Sequence, residues 1–592
     1  MPYATSPTWN LDALFPGGPD GAAFIAEADA LAAELDGLVA RCDAVPADPD
    51  APTLVAAVAA LQSIVLRLEQ LSTFAGCSAA ADTVGKGARR AEARATVLWN
   101  RYTRAWVVPN ARVGTVSDAR FAEVLAHPDM AALRGFLDEK RRLARFRLPE
   151  AEEALSTELA RDGILAWGES YDAESGALRI PFDRGNGREE LSPGQLSPLI
   201  GHDDKATRDA ASAALVAGWR TVGERCARAL THITGTRATL NARRSLDVLD
   251  EPLANAKIER RTLDAMMECA RRARPMMHRY LALKAKARQQ ATLSWADTVA
   301  LVGTVGGAVP YEDAQDFIVE QFRAFAPPLA DFAVRAFEER WIEVENRAGK
   351  RGGGFCADAP LIRQSRIFMT WGGNARSVST LAHELGHAYH NEVLYEVPAA
   401  QRRVPMTLAE TASTFAEALV REAALNAETD AGRRLRLLDG SLSDALGFLC
   451  NIPARFELEL ALYRLREQGA LEPEALEAET ERIFRDWYGP TVSSVDPMFW
   501  ANKLHFYIPT LAFYNFPYTF GFLFANLVYA HYRPLGAGGL DGYRDLLRRT
   551  GDAWAEPVAA ATLGVDLGDP DVWMRALQPV ERDFAAFEAV VG

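Results

Sequence analysis

The chain has 592 residues, and its net charge of −14 restricts what it can bind. Phosphate backbones are bound by basic protein faces, so this charge argues against a nucleic-acid partner and is typical of a well-solvated globular protein. Hydrophobic residues make up 49% of the chain and charged residues 24%, as in ordinary globular proteins. The length predicts two to four domains or one large multi-lobed unit.

The cysteines and the N-terminus indicate the compartment. The six cysteines are scattered, with no C-x-x-C pair or Cys/His cluster, so neither a disulfide framework nor a structural zinc module is indicated. Residues 1–10 lack the basic start and apolar core of a signal peptide. These features predict a protein of the reducing cytoplasm.

In chain order, most of the sequence predicts helices. Apolar residues recur with helical spacing, and an extended piece at 178–183 precedes a domain boundary at about 195–205. The fold class is therefore mainly α with a small β-sheet, in domains of 1–200 and 201–592. The predicted helices before the boundary are 21–42, 54–75, 83–108, 117–145 and 150–166, and those after it lie in 205–292 and 311–345.

A strand, a turn and a helix follow one another after residue 365. Residues 366–371 are rich in β-branched and aromatic side chains and predict a strand, and Gly372-Gly373-Asn374 predicts a turn into the next helix. Zinc peptidases bind extended substrates along a sheet edge beside their metal helix, so this order of elements is informative.

The predicted helix carries His-Glu-Leu-Gly-His at 383–387. Two histidines four residues apart lie about 40° apart around a helix, so His383 and His387 can bind one zinc ion. Glu384 is turned about 100° from His383 and can reach a water at the same metal. This is the H-E-x-x-H arrangement of zinc peptidases, and the alternative is an exposed helical turn without a metal.

A catalytic zinc needs a third protein ligand, and Glu410 on the following helix is a candidate. Thr407-x-x-Glu410 is equally a capping box, in which the glutamate would bond backbone N–H groups, so spacing leaves both interpretations open. Glu417, two turns further, is a rival ligand or a partner of a ligand. His390 is expected to pack or to orient a neighbour.

The segment from His505 to Tyr532 contains no Lys, Arg, Asp or Glu and is long enough to span a bilayer. However, its aromatic residues are spread along the whole segment, whereas membrane helices concentrate them at their ends. We therefore predict a buried helix hairpin beside a cavity and no membrane partner.

Several motifs together resemble the oligoendopeptidase F family of thimet-oligopeptidase-like zinc metallopeptidases. They are Gly353-Gly-Phe-Cys356, in which Gly354 replaces the family's Ala, Thr380–His390, Met406–Ser413 and the N-terminal Trp9–Phe15. The resemblance implies a zincin-like catalytic domain in a two-lobed, mostly helical ellipsoid with a deep substrate channel. It implies one zinc per chain, with the Glu of Glu-x-x-Ser, here Glu410, as the third ligand.

The resemblance also implies that His505, Tyr514 and Tyr518 stabilise the tetrahedral intermediate. The expected function is an intracellular zinc endopeptidase for short peptides, with Glu384 as general base. One alternative is a zinc exopeptidase of the dipeptidyl carboxypeptidase or carboxypeptidase type. Another is a catalytically silent peptide-binding protein, against which the intact Glu384 argues.

Overall fold

The computed structural model describes residues 7–185 and 187–592. Residues 1–6, which belong to the segment predicted not to be a signal peptide, and Asn186 lie outside the described residues. The chain is 71% helical, with small sheets, as the sequence predicts. It forms two compact units, each assembled from separated stretches. Unit 1 comprises the described part of Met1–Arg145, Gly306–Ala424 and Ala525–Val565, and unit 2 comprises Phe146–Val305, Leu425–Phe524 and Asp566–Gly592.

Unit 1 has a core built around the helix Ala51–Ala81. Asp50 caps this helix by accepting a hydrogen bond from the backbone N–H of Thr53, and a full face of its apolar side chains is buried. The other helices of unit 1 are Ala22–Asp43, Lys86–Ala105, Val107–Thr115, Asp118–Ala126, Pro128–Ala131, Arg134–Ala144, Tyr311–Phe325, Pro327–Glu338, Ala375–Leu394, Met406–Ala409, Leu540–Arg549 and Ala555–Leu563.

Among the described residues, the helix Ala51–Ala81 is also the one long and apolar enough to cross a membrane by length and composition. This is weak evidence, because the central helix of a packed domain meets the same criterion. Here its buried face includes Leu61, Leu68 and Phe74, which pack within the core of unit 1.

Unit 1 also contains a three-stranded sheet. The first two strands of the chain, β1 (Ile180–Asp183) and β2 (Arg188–Leu191), form a separate hairpin in unit 2. The sheet of unit 1 contains β3 (Ile342–Glu343), β4 (Phe355–Ala359) and β5 (Gln364–Phe368) in the order β3-β5-β4. β3 runs parallel to β5 and β4 runs antiparallel to it. β4 is thus an edge strand, and the helix Ala375–Leu394, called the motif helix below, packs on β4 and β5.

Unit 2 is mainly helical apart from its hairpin. Its helices are Glu150–Ala160, Ala166–Ala177, Pro193–Leu196, Lys205–Arg220, Gly223–Arg244, Asp250–Ala256, Arg260–Ala287, Trp295–Val299, Ala431–Leu446, Ile452–Gln468, Pro473–Tyr488, Phe499–Asn502, Pro570–Arg575 and Gln578–Val591. Two further helices, Thr411–Ala427 and Phe516–Tyr532, contribute residues to both units.

The long predicted helices are shorter than expected where the backbone cannot continue. The prediction of one helix over 117–145 is wrong because Pro128 begins a new helix, and Pro327 divides 311–345 in the same way. Left-handed residues Ser245 and Lys257 divide 205–292. The division of the chain into domains of 1–200 and 201–592 stays a prediction.

The prediction of a hairpin over 505–532 is also wrong. The segment forms a short 3₁₀ turn, Leu504–Tyr507, and one helix, Phe516–Tyr532. Phe513 has a φ of 53° and Pro509 interrupts the intervening backbone, which together prevent a first helix. Its predicted burial is confirmed, since most side chains of the helix Phe516–Tyr532 are buried.

Candidate metal centre

The motif helix begins where the sequence predicts. Gly373 has a φ of 63°, and Asn374 then caps the helix by accepting a hydrogen bond from the N–H of Ser377 at 3.0 Å. Two turns further, the rings of His383 and His387 lie with centroids 4.8 Å apart on one side of the helix. The predicted pairing of the two imidazoles is therefore confirmed as geometry.

Glu410 joins this pair from the next helical segment. It lies between the helices Met406–Ala409 and Thr411–Ala427, and its Oε2 is 3.2 Å from Nε2 of His383 and 3.3 Å from Nε2 of His387. Ser413 donates a hydrogen bond to the same oxygen at 2.8 Å. The capping-box alternative is wrong, because Pro405 begins the short helix without a side-chain cap and the Glu410 carboxylate faces the histidines.

Two of the three distances between the candidate ligand atoms match a tetrahedral metal. A zinc ion bonded at about 2.0–2.1 Å places two tetrahedral ligands about 3.3–3.4 Å apart, and both histidine–glutamate distances match this value. All three ligand atoms lie within 4.8 Å of one another. Two imidazoles and one carboxylate form a donor set that zinc prefers in catalytic sites.

The electrostatics of these three residues also favour a cation. Burial raises the pKa of Glu410, but hydrogen bonds with His383 and His387 outweigh burial and hold this pKa well below its usual range. Burial lowers the pKa of His383, yet its bonds with Glu410 and Glu417 raise that pKa to about 10. The carboxylates therefore stabilise positive charge where a metal would bind.

Glu417 is placed on the far side of His383. Its Oε2 lies 3.3 Å from Nδ1 of His383, and its Oε1 accepts a hydrogen bond from Ser379 at 2.8 Å. Because Nδ1 faces this carboxylate, the Nε2 lone pair of His383 is directed toward Glu410 and the metal position. Of the two predicted roles, the geometry favours a partner of a ligand.

Glu384 is buried beside the ligands, with 6% of its surface exposed. Its Oε2 has no hydrogen-bond partner among the described residues, and burial raises its pKa. A Cβ added to Gly354 would lie 3.3 Å from Oε1 of Glu384. A buried carboxylate oxygen without a partner is costly, and its presence here indicates a place for a water or substrate group.

Gly386 explains how the two ligand-bearing segments approach each other. A Cβ at this position would lie 2.5 Å from the carbonyl oxygen of Ala412 and 2.6 Å from Cα of Ser413. Only a glycine allows the backbone after Glu410 to come this close to the motif helix.

His390 is not part of the ligand set. It is fully buried, its Nε2 donates to Oγ1 of Thr550 at 2.8 Å, and burial lowers its pKa to about 4. The expectation that it packs and orients neighbours agrees with these contacts.

The remaining predicted residues form a cluster in unit 2. The ring centroid of His505 is 4.9 Å from that of Tyr514 and 6.1 Å from that of Tyr518, and all three side chains are half-buried. Nδ1 of His505 lies 2.7 Å from Oδ1 of Asn515. The three predicted residues are thus brought together with each other, and their roles stay predictions.

Comparison with known sequences assigns the family. Residues 320–578 match Peptidase family M3, and residues 113–180 match Oligopeptidase F. The chain belongs to peptidase family M3, in its oligopeptidase F group. The M3 family makes this protein a metalloendopeptidase by class, and the predicted resemblance is confirmed.

Two relatives and one solved structure show how similar this M3 peptidase is to known proteins. Oligopeptidase PepF of Bacillus subtilis is 26% identical over 57% of this chain and 49% of its own length, so the match spans about half of that relative. The plasmid oligoendopeptidase F of Lactococcus lactis subsp. cremoris is 26% identical over 70% and 69%. A crystal structure of a Chlamydophila abortus protein assigned as a peptidase has a TM-score of 0.84 at 18% identity, covering 99% and 98%, which shows a shared fold.

Sequence reasoning missed several residues that organise the M3 peptidase site. Ser413 belongs to the Glu-x-x-Ser motif, but the motif alone does not predict its hydrogen bond to Glu410. Ser379 and Gly386 gave no separable signal within an ordinary helical pattern. Asn515 had one usable signal, since it is one of two asparagines, with Asn526, within an uncharged aromatic segment.

Proposed function

We propose that this M3 peptidase is a zinc-dependent endopeptidase of short peptides. The observation that carries the proposal is the meeting of His383, His387 and Glu410 beside the buried carboxylate of Glu384. The family supplies the class of substrate, since its named relatives are oligopeptidases. We further propose one zinc per chain, because one such donor set is found among the described residues.

In this proposal, His383, His387 and Glu410 hold the zinc, which when bound lowers the pKa of water to about 7 and polarises a carbonyl. Glu417 keeps His383 in the orientation needed for binding. Glu384 accepts a proton at its unpaired Oε2 and later returns it to the leaving amine. Its burial supports this role, because burial raises the proton affinity of a carboxylate.

The aromatic cluster of unit 2 is proposed to bind the tetrahedral intermediate. A phenol is an O–H donor near neutral pH, so Tyr514 or Tyr518 can donate a hydrogen bond to a developing oxyanion. His505, whose ring packs against both tyrosines, is proposed to take part in the same binding site. We also propose that a channel of the family's type restricts substrates to short unstructured peptides, and that the protein works in the cytoplasm.

The first experiment replaces the proposed base. Glu384→Gln should retain zinc and lose about 10²–10⁴-fold in kcat/KM, because an amide cannot accept the proton. Glu392→Gln on the same helix, whose carboxylate pairs with Arg335 instead, is the matched control and should remain active. Hydrolysis by Glu384→Gln at a near-normal rate would show that the base is assigned wrongly.

The second experiment separates the alternatives. Peptides blocked at both ends should be cut at internal bonds, whereas an exopeptidase requires a free terminus. Loss of cleavage on chelation and its return with zinc would exclude a silent peptide-binding protein. If blocked peptides remain intact while their unblocked forms are trimmed, the exopeptidase alternative is correct.

A further inference from the structure

The hydrogen bonds around His505 determine which ring nitrogen carries its proton. Nδ1 of His505 lies 2.7 Å from Oδ1 of Asn515. If the ring were turned over, Cδ2 would occupy this position, yet carbon–oxygen contacts of the C–H···O type lie at about 3.3–3.6 Å. A nitrogen is therefore required at this distance from Asn515.

The orientation of the Asn515 amide is fixed independently. Nη1 of Arg455 donates to Oδ1 of Asn515 at 3.3 Å, and a guanidinium has donors but no acceptor. A flipped amide would place its NH₂ group against Arg455, donor against donor. Oδ1 is therefore the acceptor shared by Arg455 and His505, and Nδ1 of His505 must be the donor.

The backbone around Asn515 is held in place by a second buried group. Oε1 of Glu459 accepts a hydrogen bond from the N–H of Phe513 at 2.7 Å, and Phe513 adopts a φ of 53°. Asn515 itself is 1% exposed. The amide thus sits in a constrained, buried loop and cannot reorient freely to suit another tautomer of His505.

Burial and two neighbouring cations favour the neutral imidazole of His505. Burial lowers the pKa of His505, and the cations Arg455 and Lys503 lower it further, whereas its bond to Asn515 raises it. Among the described residues, the other titratable groups packed against the ring are the phenols of Tyr514 and Tyr518. A neutral imidazole protonated at Nδ1 presents only a lone pair at Nε2.

We propose that Asn515, oriented by Arg455, makes His505 a hydrogen-bond acceptor at Nε2, where it receives a main-chain N–H of the bound peptide. This inference rests on the proposed function and refines it. His505 then positions the substrate, and the donor to the oxyanion is a tyrosine. Asn515 and Arg455 are positioning residues, because they act through His505.

The tautomer is measured directly by two-bond ¹H–¹⁵N correlation spectra of the zinc-bound protein labelled at its histidines. His505→Gln identifies the His505 signals. The wild type should show a protonated Nδ1 and a bare Nε2 at neutral pH. A protonated Nε2, or a doubly protonated ring at pH 7.5, would overturn the proposal.

Two variants test the role of Asn515. Asn515→Leu removes the acceptor and should abolish the Nδ1–H preference, whereas Asn515→Asp retains an acceptor and should preserve it. Circular dichroism and thermal unfolding check that each variant folds. If Asn515→Leu is folded and shows the wild-type tautomer, Asn515 does not set it and the proposal fails.

The substrate partner is tested with blocked peptides that are N-methylated at one position at a time. At one position, methylation should lower kcat/KM at least tenfold for the wild type but less than twofold for His505→Ala. Equal losses in both enzymes at every position would overturn the substrate contact. If no unmodified peptide is cleaved, the proposed function fails and takes the substrate contact with it, whereas the tautomer result stands separately.

Discussion

Replacing Glu417 tests whether a carboxylate that touches no metal still controls metal binding. Its Oε2 lies 3.3 Å from Nδ1 of His383, and Ser379 holds its other oxygen. Mutation of a residue that hydrogen-bonds to a metal ligand typically lowers metal affinity by 10–100-fold, which corresponds to about 1.4–2.7 kcal/mol. The structure indicates where in this range each substitution should fall.

Glu417→Gln keeps an oxygen that can accept from Nδ1 but loses the negative charge. Because the 3.3 Å contact is already long for an N–H···O bond, we expect a loss near the lower limit, about tenfold in zinc affinity. Glu417→Ala removes both the acceptor and the charge and leaves the imidazole unoriented. We expect its loss to approach the upper limit, about 100-fold.

The assay is a competition titration of zinc against a chromophoric chelator at constant pH and ionic strength. Glu320→Gln is the matched control, because it also removes one negative charge but lies exposed on the helix Tyr311–Phe325. The control should bind zinc with wild-type affinity. If Glu417→Ala binds zinc within about twofold of the wild type, the orienting role of Glu417 is refuted.

Two further predictions concern the fold around the metal. Gly386→Ala should lower the free energy of unfolding by about 1–3 kcal/mol and weaken zinc binding, because its Cβ collides with Ala412 and Ser413; Gly440→Ala, which has open space around it, should not. In the folded protein the pKa of His390 is lowered from 6.5 to about 4, so the stability gained by keeping His390 neutral is fully present above pH 6.5. This part of the free energy of unfolding is lost as the pH falls toward 4. Urea unfolding of the metal-free protein should therefore show about 3 kcal/mol of pH-dependent loss between pH 6.5 and 4, and His390→Gln should lack that component; identical profiles would refute the assignment.

The local part of the metal site could be predicted from the sequence because it depends on helix geometry alone. Residues four apart meet on one helix face wherever the helix forms, so His383 and His387 required no tertiary information. Glu410 did require tertiary information, because the spacing of Thr407-x-x-Glu410 is equally compatible with a helix-capping box. Only the contacts of Glu410 with His383 and His387 in the folded chain distinguish the two roles. Its approach depends on Gly386, whose close contact with Ala412 is invisible in a list of residues.

The aromatic segment 505–532 is a case in which distant contacts, and not local geometry, determine the backbone. Its burial could be predicted from its lack of charge, but the break that prevents the expected hairpin could not, because the left-handed Phe513 is held by the distant Glu459. The tautomer of His505 likewise depends on Arg455, 60 residues away from Asn515 in the chain. Tertiary contacts of this kind decide chemistry without leaving a local pattern.

The central claim is that one zinc ion is held by His383, His387 and Glu410. Crystals of the purified protein should be measured at two X-ray energies on either side of the zinc absorption edge. The account predicts one anomalous peak per chain that is present only above the edge and lies within bonding distance of Nε2 of both histidines and of a Glu410 oxygen. A zinc peak elsewhere, or bonded to Glu417 in place of Glu410, would contradict it.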